Sequence, residues 1–311
     1  MSESRPPAMS GEPVVPVPVD LLPEGHERRP RRWKWLGRHG GWIVFAAFVV
    51  VWAATLFVLA VGLQNERVFI YVFLVGGFAT SAAFLYTMCY RLRPADEISP
   101  SLLVVIALVG GFLGAVLTDF PDALISHTPL NGFLVGPVEE FCKIVVVVIV
   151  ARWIPVKNAR VGLFIGGAIG FGFAAFENTL YAFGTLLSTP LGSDAVLHLT
   201  ENQGLRAITT MFGHPVWTGI LAAAVYAGYR GNRLRITRRI VGSYLMVAAL
   251  HDLWDFSAPL WTSILRSSSA AFFADQGMLL VIGVVGLLVW WRTSRRANAE
   301  LMAQPVPIPL D

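Results

Sequence analysis

Glu139 and Glu140 stand side by side, and Lys143 follows about one helical turn later, inside an apolar run over residues 133–154. Each such charge costs about 2.5–3.5 kcal/mol at the centre of a membrane helix on insertion scales. A helix that merely crosses lipid has little reason to carry three. Consecutive helical residues are rotated by about 100°, which sets Lys143 angularly between the two carboxylates. One ammonium fully compensates one carboxylate and leaves the other for a proton, a metal or a water. A desolvated glutamate can take a proton from water near neutral pH.

Three further apolar stretches carry groups suited to that chemistry. They hold Glu177 with Asn178 and Tyr181, His214 followed by Pro215, and His251 with Asp252 and Asp255. Glutamates, histidines and aspartates without a positioned serine or cysteine nucleophile fit water activation. The histidines would polarise a carbonyl as an oxyanion site, or bind a divalent metal that does so. Glu and His ligands suit Zn²⁺, but HExxH is absent, which leaves metal dependence open.

The elements that must position these residues are membrane helices. Of 311 residues, 55% are hydrophobic and 14% charged, against about 25% charged in ordinary soluble domains. Hydropathy gives eight spans, at 41–63, 68–90, 101–118, 133–154, 161–187, 204–228, 237–257 and 272–291. The fold class is therefore all-α, a polytopic helical bundle in a lipid bilayer. Twenty of the 24 Lys and Arg fall on one side of these spans and two, Arg67 and Arg266, on the other. The positive-inside rule then puts both termini in the cytoplasm. This distribution explains the net charge of +4 without nucleic acid. Cys89 and Cys142 both fall in spans, so a disulfide framework is not expected. The chain divides into a disordered, basic, Pro-rich tail over 1–40, a transmembrane region over 41–292 and a C-terminal tail over 293–311. A cleaved signal peptide fits poorly, because the first apolar run starts late and is too long.

Depth is the useful test of whether the polar groups meet. At about 1.5 Å per residue, Glu139 and Glu140 lie about 10 Å below the outer boundary, Glu177 and His214 about 15 Å, and His251 about 9 Å. All belong to the outer half of the membrane. Gly162, Gly166, Gly170 and Ala174 form a stripe of small residues that lets a second helix approach closely. Glu177 lies about 20° from the direction of Gly170, so it faces that partner and not lipid. Pro215 cannot donate to the carbonyl of Met211, and with Gly213 it should kink the helix at His214. His251 and Asp255 share a face, so the aspartate can orient the imidazole or the pair can supply two ligands. The loops 119–132 and 188–202 carry no Lys or Arg and shape an outer mouth. Asp119 and Asp122 read there as solvated, and His26, His39, His127 and His198 as bystanders.

Plainer readings exist for each group alone. Glu139, Glu140 and Lys143 would serve as a buried ion pair, and Glu177, His214 and His251 as interhelical polar contacts. The same carboxylates would also suit a proton- or cation-coupled transporter, or a pocket that binds a peptide without cutting it, as in a receptor or assembly factor. No related halves support the transporter. Four spans agreeing in depth favour one functional site.

These residues also carry a resemblance. Glu139-Glu140-Phe141-Cys142-Lys143 gives EExxK. Gly170 to Asn178 with Tyr181 gives a glycine-rich block ending in Phe-Glu-Asn. His214-Pro215-Val216-Trp217-Thr218-Gly219 and then His251-Asp252-Leu253-Trp254-Asp255 complete the series. In this order the sequence resembles the PrsW family of bacterial intramembrane proteases, in the wider group that includes the CAAX-processing, Abi-type proteases. The resemblance implies hydrolysis of a peptide bond in a single-pass membrane protein, on the theme of site-1 cleavage of an anti-sigma factor, in the bacterial cytoplasmic membrane. It implies a metalloprotease, although the CAAX group looks more like glutamate-activated water, so the cofactor is a divalent ion such as Zn²⁺ or none. Carried across, Glu139 or Glu140 would be the general base, with His214 and His251 at the water, metal or oxyanion. Lys143, Glu177, Asn178, Tyr181 and Asp255 would support them, and His214, His251 and Glu177 are the candidate metal ligands.

Overall fold

The computed structural model describes residues 31–62, 68–92, 98–126, 131–188 and 193–303. Among these it holds ten α-helices and one small hairpin, as lipid requires when every backbone group must be paired within its own segment. The chain runs through α1 (Arg31–Ala54), α2 (Phe69–Thr87), the short α3 (Pro100–Val105), α4 (Gly111–Ile125) and α5 (Asn131–Ala151). It continues through α6 (Ala159–Ser188), α7 (Ser193–Thr209), α8 (His214–Ala227), α9 (Arg238–Ile264) and α10 (Ser268–Met302). Between α8 and α9, β1 (Tyr229–Arg230) and β2 (Arg233–Leu234) pair antiparallel. Gly231 takes the left-handed conformation their turn needs, with φ 59°. Polar residues start the helices: Ser99 Oγ accepts from Leu102 N–H, Asn158 Oδ1 from Val161 N–H, and Thr237 Oγ1 from Ile240 N–H.

The all-α architecture agrees with the sequence. Six helical runs among the described residues are long and apolar enough to cross a membrane: His39–Val58, Phe69–Tyr90, Pro100–Ile125, Ala159–Thr185, Val196–Ala227 and Ser268–Met302. The other two expected spans are α5 and α9, which hold Glu139, Glu140 and Lys143 and His251, Asp252 and Asp255.

The bundle is built around α6 and α8. The small-residue stripe of α6 lies against the α8 backbone, where a Cβ on Gly162 would sit 2.5 Å from the Ala222 carbonyl oxygen and one on Gly170 2.6 Å from Pro215 Cα. That approach sets Glu177, two turns beyond Gly170, beside the start of α8. Buried aliphatic and aromatic residues of α5, α6 and α8, including Val146, Ile165, Ile169, Val225 and Tyr226, fill the space below. At that end Arg152, Lys157, Arg230 and Arg239 line two neighbouring cavities, and Arg239 pairs with Glu300 at 3.0 Å. Basic residues of separate connections thus gather at one end of the bundle. Glu139 and Glu140 lie up α5 from it by about 17 Å of helical rise.

Several boundaries differ from the sequence reading. The stretch 188–202 is not a loop throughout, because α7 begins at Ser193. The single span expected over 204–228 is two helices, divided by a tight turn at Thr210–Phe212 and by Gly213. Pro215 therefore sits in the first turn of a new helix, where its missing N–H costs nothing, and not at a kink. The loop expected from residue 119 starts later, since α4 tolerates Pro121 and runs to Ile125. Helix α10 carries the chain to Met302, past the expected start of the C-terminal tail at 293, and α1 begins at Arg31, inside the stretch 1–40. Residues 1–30, His127 and the terminal Pro-rich segment lie outside the described residues.

Candidate active site

The four residues expected to carry the chemistry come together. Glu139 and Glu140 on α5, His214 at the start of α8 and His251 on α9 are all buried. Each can bring a ligand atom within 4.8 Å of the others'. Two tethers hold α5 to α9 beside them: Asp252 Oδ1 accepts from the Gly136 N–H at 2.9 Å, and the Tyr244 hydroxyl donates to the Pro137 carbonyl at 2.9 Å.

Lys143 stands at the centre. Its ammonium donates to Glu139 Oε2 at 3.0 Å, to Glu140 Oε1 at 2.8 Å and to His214 Nδ1 at 2.8 Å. It also lies 3.9 Å from the centroid of the Phe173 ring. The sequence reading set Lys143 between the two carboxylates, and the ammonium reaches both, while its single charge balances one of them. An ammonium only donates, so His214 Nδ1 accepts and its Nε2 carries the proton. That Nε2–H points to Glu177 Oε2 at 2.9 Å. A carboxylate on the far nitrogen fixes both tautomer and ring orientation.

Glu140 and Glu139 differ in access. Glu140 is 0% exposed, and its Oε1 also accepts from His251 Nδ1 at 2.9 Å. Its Oε2 is buried and has no hydrogen-bond partner among the described residues, an arrangement that costs stability unless a ligand or water completes it. Glu139 keeps 9% of its side chain exposed. His251 Nε2 lies 3.7 Å from Glu139 Oε2 and 3.5 Å from Asp255 Oδ2, and the Asp255 side chain is 40% exposed. The site therefore opens on the side of Glu139 and Asp255. Trp217 closes the opposite side, its rings 4.9 Å from His251 and 5.6 Å from His214.

Glu177, Asn178 and Tyr181 are joined by a residue the sequence reading passed over. Arg206 on α7 donates from Nη2 to Glu177 Oε2 at 2.7 Å and from Nε to Asn178 Oδ1 at 2.6 Å. Its guanidinium stacks 3.8 Å from the Tyr181 ring centroid. A usable signal was present, since Arg206 lies inside the expected span 204–228, where a charge is costly. Asp122 was also missed. It is half-buried on α4, within electrostatic range of Glu139, His251 and Lys143, and its Oδ1 is buried without a partner among the described residues. Asp119 is exposed, whereas the half-buried Asp122 departs from the solvated reading. His198 is exposed and lies 3.6 Å from Glu201, away from the four.

The donor set suits a divalent ion. Two carboxylates and two imidazoles match the preferences of Zn²⁺, and the unpartnered Glu140 Oε2 is a buried donor atom still to be satisfied. Glu177, counted on sequence as a candidate ligand, does not belong to the four. Its Oε2 already serves His214 and Arg206.

A family model described as PrsW family intramembrane metalloprotease matches residues 98–290, which span every residue of this site. No curated protein and no solved structure matches the chain.

Proposed function

Because the chain belongs to the PrsW family of intramembrane metalloproteases and so is a membrane peptidase, we propose that it cuts a membrane-anchored protein near the outer membrane face, using a water activated by Glu139. The observation that carries this reading is the meeting of Glu139, Glu140, His214 and His251, from three helices, around one buried point. The substrate is a single-pass protein of the anti-sigma-factor kind, cut in the bacterial cytoplasmic membrane as the first step of a signalling cascade. Support for the outer face comes from the gathering of basic residues at the opposite end of the bundle.

Glu139 is the base because it is the carboxylate on the open side; Glu140 is sealed behind it. Glu139 takes a proton from water, and the water oxygen attacks the scissile carbonyl carbon. As the carbon–nitrogen bond breaks, the proton passes to the leaving nitrogen, so that a carboxylate and an amine result. His251, held by Glu140 and Asp255, donates to the developing oxyanion. His214, locked by Glu177, and Lys143 keep the two carboxylates in register. With the Lys143 ammonium moved aside, Glu139, Glu140, His214 and His251 would hold a divalent ion, which would add Lewis acidity at the carbonyl.

The test compares protein termini by mass spectrometry in membranes from cells carrying wild type or Glu139→Gln, with equal insertion verified in the same samples. A terminus near the outer boundary of a single-pass protein, present with wild type alone and reproduced with purified components, supports the reading. Identical termini in the two samples, with single-pass candidates expressed, would refute it.

A further inference from the structure

The ammonium of Lys143 makes three hydrogen bonds, as many as it has protons, and all three acceptors belong to the four-residue donor set: Glu139 Oε2, Glu140 Oε1 and His214 Nδ1. A carboxylate can serve two cations at once, having lone pairs to spare, but a ring nitrogen of imidazole has one lone pair. At His214 Nδ1 that pair points to Lys143 Nζ at 2.8 Å. The other nitrogen, Nε2, carries the proton and donates it to Glu177 at 2.9 Å. A divalent ion can take His214 as a ligand through Nδ1 only if the ammonium leaves, and through Nε2 only if the bond to Glu177 breaks.

We propose that Lys143 is the resident cation of this donor set, and that a divalent ion and the lysine ammonium occupy it in alternation. Lys143 is 0% exposed, so its charge has no solvent to retreat into. Its other neighbour, the face of Phe173 at 3.9 Å, offers a weaker cation site. The lysine thus holds two adjacent carboxylates and an imidazole in one place without metal, and it weakens the site for metal by competing for the same atoms. This concerns the donor set and not the reaction. A chain that cut no peptide would answer the same experiment, and failure of either idea leaves the other standing.

The experiment is a Co²⁺ titration of the purified full-length protein in detergent, read by visible absorption, because tetrahedral cobalt with nitrogen and oxygen ligands absorbs far more strongly than the hydrated ion. Lys143→Met, of similar length and without charge, should bind Co²⁺ more tightly than wild type by about tenfold or more, a difference that corresponds to about 1.4 kcal/mol. Adding His214→Ala to Lys143→Met should abolish the gain, and Lys143→Arg, which keeps the charge, should show none. Equal affinity in wild type and Lys143→Met would overturn the proposal. A second measurement needs no variant. Wild type purified after growth in zinc and dialysed should hold well under one equivalent of metal by elemental analysis; a full equivalent retained with Lys143 intact would overturn the proposal by itself.

Discussion

Replacing Arg206 with alanine tests whether a residue outside the central four controls one of them, His214, through Glu177. The guanidinium makes two short hydrogen bonds, to Glu177 at 2.7 Å and Asn178 at 2.6 Å, and stacks on Tyr181. Charged hydrogen bonds contribute about 1.5–3 kcal/mol each, and a stacked cation at a partly exposed site about 0.5–1 kcal/mol. The Arg206 and Glu177 side chains are 25% and 16% exposed, so solvent screens part of this and a net loss of roughly 2–3 kcal/mol is expected. The second effect falls on His214, whose Nε2–H is fixed by the same Glu177 oxygen. With that oxygen free to turn, kcat should fall about 10–100-fold, the usual cost of losing an outer partner of a site histidine. KM should change little, because Arg206 lies behind the histidine. Arg206→Lys keeps the charge but loses the fork, so it should recover much of the stability and less of kcat. The assays are chemical denaturation in mixed micelles and cleavage of a reconstituted substrate. Wild-type stability together with wild-type kcat in Arg206→Ala would refute the reasoning.

Gly170→Leu should prevent folding outright, since even a Cβ would sit 2.6 Å from Pro215 Cα; the check is loss of the monodisperse peak on size exclusion. Asp252→Ala removes the partner of the Gly136 N–H and should cost about 1 kcal/mol in the same denaturation assay, with a smaller loss of kcat than Glu139→Gln. Asp122→Asn keeps the shape of a half-buried group near Glu139; if that charge bears on the base, the pH dependence of kcat should shift while stability stays within about 1 kcal/mol of wild type.

The site was legible because charge in an apolar run stands out. Glu139, Glu140, Lys143, Glu177, His214 and His251 are conspicuous against a chain with 14% charged residues, and helical spacing gives their faces. The spacing of Gly162, Gly166 and Gly170 likewise foretold the close approach of a second helix, which the structure shows to be α8. Reach was not legible. Angle alone places Lys143 between two carboxylates, but the lysine's four methylenes also let it touch His214, a residue of another helix. The outer segments were read as loops because they are polar, yet α7 is held in place by contacts that appear only in three dimensions. Leu199 packs with Leu56, Phe69 and Phe73, and Gln203 bonds to Trp52 and to the Phe73 carbonyl. Asp122 was missed for the same reason, since α4 runs past the expected end of its span, whereas Arg206 lay in an expected span and takes its meaning from Glu177 and Asn178 on another helix.

The pairing of α5 with α9 has a consequence for how the chain is made. These two expected spans carry ionisable residues inside their apolar runs, and they are joined by Asp252 to Gly136, Tyr244 to Pro137 and Glu140 to His251. During synthesis α5 emerges first, with α6, α7 and α8 still to follow before its partner exists. Its glutamates and lysine must be sheltered through that interval, either at the insertion machinery or against α6. Biogenesis should then be the step most sensitive to delay between the two helices, and a chain truncated before α9 should leave α5 open to extraction and degradation.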